Sequence, residues 1–366
     1  MVAVVGPVTY SYASTMVKPS SLPLSVRTVE WIRSNHGAWA VNLVERYWYT
    51  WKAPKPGGPA LKALPAVGSL PPPPPRRAAS PAVAYRPPRL SPLIRPVLPG
   101  EGIWHTVGPT VGGAPPVLAT TFRSEPAYPR IVAYVAWIDH TRTQLALYPG
   151  RYEPPHASPR GPIEVPHGER WRLLATFNSG FTYGDGHGGF AVNGDTAAPL
   201  RDGQGTLVAY RDGRVDVISW RGTEQPGRKV VLARQNLPLL VLGGRPSPQI
   251  ADGNAWGDTL GNAVRVWRSG VGIDRCGNLI YAAADYQTAQ TLAAILIHAG
   301  AVRAIELDIN AEWPSFITYG HFGGRDPAKL VPNYQQPEGR YLVPDDRDFF
   351  VVYRRIPRGL GKVPFS

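Results

Sequence analysis

The segment 304–310, AIELDIN, alternates strictly between aliphatic and polar side chains. A β-strand of this sequence presents aliphatic residues on one face and Glu306, Asp308 and Asn310 on the other. At about 3.3 Å per residue, Glu306 and Asp308 lie roughly 6.6 Å apart along the strand. This separation lies within the range of about 5 to 9.5 Å over which carboxylate pairs hydrolyse glycosidic bonds. The pattern therefore predicts catalytic carboxylates; the alternative is the solvated face of an ordinary sheet.

A second polar cluster, Asn178-Ser179-Gly180-Phe181, follows a run that is typical of a strand. Functional residues often lie at such positions, because the strand holds the following turn in place. Asn178 offers both a hydrogen-bond donor and an acceptor, and Gly180 allows the backbone to approach a ligand closely. The cluster predicts substrate contacts from Asn178, Ser179 and Gly180; a plain turn is the alternative.

A third cluster, RSGVG at 268–272, places Arg268 and Ser269 beside two glycines within a predicted strand. An arginine suits bidentate contact with a phosphate or carboxylate, although an edge strand can also carry a surface arginine. Glu312 and Trp313 follow the carboxylate segment directly. A tryptophan beside acidic groups is suited to stacking against a sugar ring, and both residues are candidate substrate contacts.

Other chemistries have weaker support. The glycine-rich segment 184–190 has no Lys-Ser/Thr pair after it and is not a P-loop. Histidines are not paired at metal-binding spacing, and the single Cys276 excludes an intramolecular disulfide and a multi-cysteine zinc site. The sequence predicts no metal site and no cofactor; a divalent cation is the alternative.

The elements that must position these clusters are mainly short β-strands separated by glycine and proline. Strands are expected within 116–122, 131–139, 143–148, 171–181, 189–194, 205–220, 266–285, 304–310, 316–320 and 349–355, and 235–248 is an apolar run closed by Gly243 and Gly244. We expect 131–139 and 143–148 to form a hairpin, and 205–220 another. One helix is clear, at 288–300, with Thr288 as its N-cap and Gly300 at its end. The predicted fold class is α+β, mostly antiparallel, with one principal packed helix.

Residues 1–100 differ from the rest in composition. They hold 12 Lys and Arg residues and only two acids, Glu30 and Glu45. A tryptophan-rich stretch at 25–51 predicts two helices with a turn at 35–37. Fifteen prolines in 53–100 predict an extended linker that builds no core. The expected organisation is a helical extension at 1–52, a basic linker at 53–100 and a main domain at 101–366.

The basic front predicts contact with something anionic, either an envelope polymer or a membrane surface. Nucleic acid is not expected, because zinc-finger spacing, RNP-like strands and basic helices are missing. The uncharged run 2–17 is too short for a spanning helix and lacks the basic start of a signal peptide. Trp31, Trp39, Trp48 and Trp51 predict an adhesive surface that packs on the main domain or meets a membrane interface.

Taken in order, the three clusters resemble the phosphodiester glycosidase domain. This is the family of the enzyme that uncovers mannose 6-phosphate by removing N-acetylglucosamine from a phosphodiester. The family shows Asn-Gly-Gly-Phe, then Arg-Thr/Ser-x-x-Gly, a helix, and Leu-Asp-Gly-Gly-Gly-Ser. The matching positions here are 178–181, 268–272, the helix 288–300, and Leu307-Asp308. The resemblance covers 171–320 well and extends toward all of 101–366.

The sequence departs from the family after Asp308, where Ile-Asn-Ala-Glu stands in place of Gly-Gly-Gly-Ser. We therefore expect a divergent, bacterial-like branch with a reshaped pocket. The resemblance implies hydrolysis of a bond between sugar C1 and a phosphodiester, outside the cytoplasm or in the cell envelope. In this reading Asp308 is the base or nucleophile, Glu306 tunes its pKa, and Arg268 binds the phosphate.

Two other functions remain open at this point. The chain could bind anionic envelope glycans without cleaving them, in which case binding would be saturable and salt-sensitive. It could instead be a metal-dependent phosphoesterase that uses Glu306, Asp308 and Asn310 as oxygen ligands.

Overall fold

The computed structural model describes residues 2–66, 85–155, 161–257, 265–332 and 336–356. Its helices in these ranges are α1 (Val2–Met16), α2 (Leu24–Ile32), α3 (Ala38–Lys52), α4 (Tyr183–Gly186) and α5 (Ala289–His298). Short 3₁₀ turns lie at His167–Arg172, Pro248–Ala251 and Gly253–Trp256. No helix in the described ranges combines the length and apolarity needed to cross a bilayer.

The strands of the described chain, in order, are β1 (His105–Thr106), β2 (Val117–Arg123), β3 (Val132–Ile138), β4 (Thr143–Tyr148), β5 (Leu173–Asn178), β6 (Phe190–Val192), β7 (Asp195–Ala198), β8 (Gly205–Tyr210), β9 (Val215–Ser219), β10 (Val230–Asn236), β11 (Val241–Leu242), β12 (Arg245–Pro246), β13 (Val266–Ile273), β14 (Leu279–Gln287), β15 (Arg303–Ile309), β16 (Phe316–His321), β17 (Arg325–Lys329) and β18 (Phe349–Arg354).

These strands form three antiparallel sheets. The largest has the order β1-β2-β3-β14-β13-β15-β11-β12, and two five-stranded sheets have the orders β7-β6-β10-β8-β9 and β17-β16-β5-β18-β4. The predicted α+β class is confirmed, because the described body of the chain is antiparallel sheet and helix α5 packs on it. Neighbouring strands β13 and β15 of the large sheet carry two of the three polar clusters.

Helix α5 begins and ends as the sequence predicts. The Thr288 side chain accepts a hydrogen bond from the Thr291 backbone N–H, and Gly300 follows the helix with a positive φ of 102°. Its apolar side chains pack on the large sheet, where Gly270 leaves room for them: a Cβ there would lie 2.9 Å from Leu296 Cδ1. The glycines at 268–272 therefore have a packing role that the sequence did not reveal.

The hairpin expected between 131–139 and 143–148 is wrong. Strand β3 pairs with β2 on one side and β14 on the other, so both of its edges are occupied. Strand β4 instead pairs with β18 in another sheet. The turn between β3 and β4 therefore carries the chain from one sheet to the next. The hairpin predicted for 205–220 is present as β8 and β9.

Part of the predicted linker belongs to the folded body. Leu90 and Leu98 are buried, and Leu90 packs in the core under α5. The adjoining Glu101 forms a fully buried ion pair with Arg123, at 2.8 Å. Leu90 therefore packs with core residues of the large sheet and Leu98 is buried, which the proline count alone did not indicate. Residues 67–84, including the run of prolines, lie outside the described ranges.

The two predicted front helices are α2 and α3, separated by an irregular turn at Arg33–Gly37. Ser20 and Ser21 tie the start of this unit to the main domain through hydrogen bonds of 2.8 Å to Asp346 and Asp345. Leu22 and Val26 pack against Trp313. The front helices therefore lie directly over the segment that follows β15.

Candidate active site

Asp308 and Arg347 form the centre of the candidate site. Arg347 Nη2 donates a hydrogen bond of 2.6 Å to Asp308 Oδ2, and both side chains are about nine-tenths buried. Burial raises the pKa of the Asp308 carboxyl to about 7, while Arg347 opposes the shift. The result is a carboxyl group that titrates near neutral pH beside a fixed positive charge.

A run of four charged residues, 345–348, holds Arg347 in place. Asp345 pairs with Arg340, Asp346 with Arg151, and Asp348 with Arg234. The last two separations are 2.6 Å each, and Arg340 lies 2.8 Å from Asp345. Each residue of the run thus has its own ion-pair partner, which fixes the direction of the Arg347 side chain toward Asp308.

Asn178 and Ser269 hold the backbone of Asp308 through a chain of hydrogen bonds. Asn178 Nδ2 donates to Ser269 Oγ at 3.0 Å, and Ser269 Oγ donates to the Asp308 carbonyl at 2.7 Å. Tyr281 donates its hydroxyl proton to Asn178 Oδ1 at 2.9 Å. All of these groups are buried. The structure thus brings Asn178 and Ser269 to Asp308, but as supports of its backbone and not as groups that line the cavity.

Ser179 and Gly180 also serve the frame of the site. The Asp308 backbone N–H donates to the Ser179 carbonyl at 3.0 Å. A Cβ at Gly180 would lie 2.9 Å from Asn236 Cγ, so the close approach predicted for this glycine is made by a protein side chain. Neither Ser179 nor Gly180 lines the cavity described below.

Glu306 and Arg268 form a separate buried pair. Arg268 Nη1 lies 2.7 Å from Glu306 Oε1, and both side chains are 0% exposed. Arg268 also donates to the backbone carbonyls of Gln287 and Trp256, at 3.0 Å each. The expected arrangement, with Arg268 facing Asp308 across a pocket, is not the one found. Arg268 faces the α5 side of the sheet, and Asp308 is held by Arg347.

A bulge in β15 explains this separation. Gly270 of β13 pairs with Glu306, but Arg268 pairs with Ile309, so two residues of β15 stand opposite Ser269. Such bulges bend a strand and redirect its side chains. Strict alternation would have put Glu306 and Asp308 on one face of the sheet. Because of the bulge, Glu306 pairs with Arg268 while Asp308 pairs with Arg347.

Asn310 joins the site to the front helices. It adopts a positive φ of 83°, a conformation that asparagine tolerates better than most residues. Tyr49 donates its hydroxyl proton to Asn310 Oδ1 at 2.6 Å, and Asn310 Nδ2 donates to Glu45 at 3.1 Å. Helix α3 therefore contacts the residue two positions after Asp308.

A cavity of about 950 Å³ opens between the front helices and the main domain. Asp308, Asn310, Trp313 and Arg347 line its domain side. Arg33 lies on the other wall, 2.7 Å from Glu45. The cavity is large enough for a sugar phosphate and has charged groups of both signs.

Trp313 and Glu312, the predicted sugar contacts, differ in their surroundings. Trp313 is buried, with the Arg347 guanidinium 4.4 Å from its ring centroid and the front residues Leu22 and Val26 packed against it. Its expected stacking surface is therefore largely covered by protein. Glu312 is half-buried, and burial together with the nearby carboxylates of Glu45 and Glu30 raises its pKa to about 7.

The sequence analysis did not identify Arg347, Tyr49 or Glu45 as site residues. The run Asp-Asp-Arg-Asp at 345–348 directly before a predicted strand was the available signal for Arg347. Tyr49 and Glu45 had no such signal, because their role depends on how α3 packs. In the described ranges, no group of three or more His, Cys, Asp or Glu side chains is arranged to hold a metal ion.

Known protein structures include distant neighbours of this chain. No curated protein matches the sequence significantly. The catalytic domain of zebrafish N-acetylglucosamine-1-phosphodiester alpha-N-acetylglucosaminidase, auto-inhibited by its pro-peptide, is a structural neighbour at 16% identity and a TM-score of 0.47, over 69% of this chain and 87% of that one. A hypothetical protein from Synechocystis is another, at 14% identity and a TM-score of 0.38, over 66% of this chain and 63% of that one.

Part of the sequence matches a known protein family. A family model described as phosphodiester glycosidase matches residues 172–308. This range begins just before β5 and ends at Asp308, and it contains Asn178, Arg268 and Ser269. Residues 172–308 are therefore similar to the phosphodiester glycosidase family.

Proposed function

We propose that this chain hydrolyses the bond between C1 of a sugar and a phosphodiester. The observation that carries the proposal is the Asp308 carboxyl group, which lies 2.6 Å from Arg347 on the wall of a cavity of about 950 Å³. The family match supports a hydrolase of the glycosidase type.

Asp308 is proposed to act at the sugar carbon. As a base it accepts a proton from a water molecule that attacks C1; as a nucleophile it attacks C1 itself, and water then releases the sugar. In both routes the C1–O bond breaks and its electron pair leaves with the phosphate. Because the leaving phosphate is a weak base, a strong general acid is less necessary than for an ordinary glycoside. A pKa of about 7 suits proton transfer at neutral pH.

Arg347 is proposed to stabilise the charge on the phosphate, the role that the sequence had suggested for Arg268. It lines the cavity, and its Nε–H has no hydrogen-bond partner among the described residues. A preorganised cation beside the leaving group lowers the barrier without moving during the reaction. We propose that Glu306, Arg268, Asn178, Ser179, Gly180 and Ser269 act as positioning residues. Asn310, Glu312 and Trp313 are proposed to shape the cavity where it meets the front helices.

The proposed partner follows from the charge of the front of the chain. Residues 1–100 carry 12 basic residues against two acids, which supports contact with an anionic envelope polymer or a membrane surface. A location outside the cytoplasm or in the cell envelope is proposed from the family resemblance. The proposed substrate is a sugar-1-phosphodiester within an envelope or extracellular glycan.

The test is the release of free sugar from a panel of sugar-1-phosphodiesters by the full chain, with and without a chelator. Release of sugar and a phosphomonoester, unchanged by the chelator, supports the proposal. Release that stops in the chelator would instead favour the metal-dependent phosphoesterase. Saturable, salt-sensitive binding of an anionic glycan with no product would favour the non-catalytic binder.

A further inference from the structure

Helix α3 is amphipathic in the opposite sense to an ordinary surface helix. Its polar residues Glu45 and Tyr49 face the main domain, where both contact Asn310. Its large apolar and aromatic side chains face outward instead. Those with more than two-fifths of their surface exposed are Trp39, Leu43, Val44, Tyr47, Trp48 and Trp51.

The exposed side chains form one continuous strip. Trp39, Leu43, Tyr47 and Trp51 recur every four residues, so they lie one above another along the whole helix. Trp39 is 72% exposed and Trp51 is 71% exposed, so most of the surface of each side chain faces solvent. A contiguous strip of exposed apolar side chains on a protein surface marks an interaction site.

The charges around the strip are positive. Arg46, Lys52 and Lys55 are exposed on or just after α3, and Lys52 Nζ lies 3.9 Å from the Trp48 ring centroid. The only acids among residues 1–100 are Glu30 and Glu45. Both lie within ion-pair distance of Arg33 and line the inner cavity. The outer surface of α3 therefore combines aromatic side chains with cations and has no carboxylate of the front region to offset them.

We propose that the outer face of α3 binds the surface of an anionic lipid bilayer. Tryptophan and tyrosine favour the headgroup level of a membrane, and lysine and arginine are attracted to anionic lipids. At 15 residues α3 is about 22 Å long, which suits a helix lying flat in the interface and not one crossing it. The charge pattern favours lipid over a second copy of this chain, whose α3 would bring the same cations together.

Membrane docking through α3 would hold the cavity next to the lipid surface. The inner face of the helix contacts Asn310, and an α-helix with its side chains is about 10 Å across. The Asp308 cavity then lies about one helix diameter from the headgroups. This inference concerns placement and stands whether or not the cavity hydrolyses its ligand.

The test is co-sedimentation of the full chain with phosphatidylcholine vesicles that either contain or lack phosphatidylglycerol. We expect binding to the anionic vesicles that weakens at high salt. The triple variant Trp39→Ser/Tyr47→Ser/Trp51→Ser should bind about ten-fold less. A matched control, Ile103→Ser/Leu242→Ser/Val343→Ser, removes exposed apolar side chains from the main domain and should bind like the parent chain.

All six side chains are exposed, so we expect both variants to fold. Circular dichroism and thermal unfolding check this expectation. Equal vesicle binding by the parent and the α3 variant would overturn the proposal, and so would absence of binding to anionic vesicles. Light scattering adds a further decisive outcome. A dimer that dissociates in the α3 variant, without vesicle binding by the parent, would show that the face joins two copies of the chain.

Discussion

Asp308 and Glu306 are two residues apart, and each is buried beside an arginine, yet their surroundings differ. Glu306 and Arg268 are fully buried, and Arg268 is also hydrogen-bonded to backbone carbonyls. Asp308 and Arg347 line a cavity. A closed ion pair without access to solvent suits a structural role, whereas a carboxyl group at a cavity wall can meet a ligand. At the residue scale, the two acids that share the polar positions of one alternating segment therefore have different proposed functions.

Breaking the Glu306–Arg268 pair should destabilise the fold more than removing it whole. Arg268→Met alone leaves Glu306 buried without its cation, which typically costs about 3–5 kcal/mol of unfolding free energy. The double variant Arg268→Met/Glu306→Leu should cost clearly less. Urea unfolding of the single and double variants measures the difference. A double variant at least as unstable as the single variants would contradict the structural role.

The pH dependence of turnover should reflect the Asp308 pKa. If Asp308 acts as base or nucleophile, only its ionised form is active, so kcat should rise with pH through about 7 and level off above it. The pH–rate profile on an accepted substrate measures this limb. A rate that falls as pH rises from 6 to 8 would assign Asp308 the opposite role, that of a general acid.

At the scale of elements, the segment after β15 shows how a divergent loop keeps a shape suited to glycine. Asn310 occupies the second position of the family's Gly-Gly-Gly-Ser stretch and adopts a left-handed conformation, with φ 83°. Its side chain adds contacts to Tyr49 and Glu45 that a glycine lacks. The departure from the family motif is thus matched by the docking of α3.

Two substitutions at Asn310 separate these effects. Asn310→Gly keeps the backbone conformation but loses the α3 contacts, so hydrogen exchange over 38–52 should accelerate while the main domain is unchanged. Asn310→Val adds the strain of a β-branched residue at positive φ and should cost about 1–3 kcal/mol of stability. Unchanged exchange in α3 for Asn310→Gly would show that Asn310 does not hold the helix.

The sequence predicted elements better than contacts. Strict alternation identified β15, and apolar spacing with a threonine cap identified α5, because both signals are local. The bulge opposite Ser269 was not predictable from alternation, since it depends on how β13 and β15 pair. Arg347 was missed for a related reason: it comes from a loop far along the chain and reaches Asp308 only in the folded structure.

At the scale of the whole molecule, the front helices complete the cavity. They supply Glu30, Arg33 and Glu45 to one wall, while the main domain supplies Asp308 and Arg347 to the other. Burial raises the pKa of Glu30, Asp308 and Glu312 together. Folding therefore concentrates protonatable carboxyl groups where the two parts of the chain meet.

Stability should consequently fall as pH rises from about 5 to 8. Asp308 and Glu312 have pKa values of about 7 in the folded chain and ordinary values of 3.8 and 4.5. Between these limits the folded state binds more protons than the unfolded state, so unfolding free energy decreases with pH until both groups are ionised. His298, whose pKa burial lowers, acts in the opposite direction.

The double variant Asp308→Asn/Glu312→Gln isolates the two carboxyl groups from other titrations. Its melting temperature should decrease less than that of the parent chain between pH 5 and pH 8. Thermal unfolding followed by circular dichroism at both pH values gives the comparison. Equal slopes for the two proteins would show that burial does not favour the protonated forms.

The central claim is that Asp308 performs the chemistry in the cavity, and turnover of Asp308→Asn tests it most directly. On a sugar-1-phosphodiester that the parent chain cleaves, this variant should release sugar about a hundred- to ten-thousand-fold more slowly. The control is Asp185→Asn, which changes another carboxylate of the same cavity that is not paired with Arg347 and should retain near-parental turnover. Full turnover by a folded Asp308→Asn protein would contradict the account.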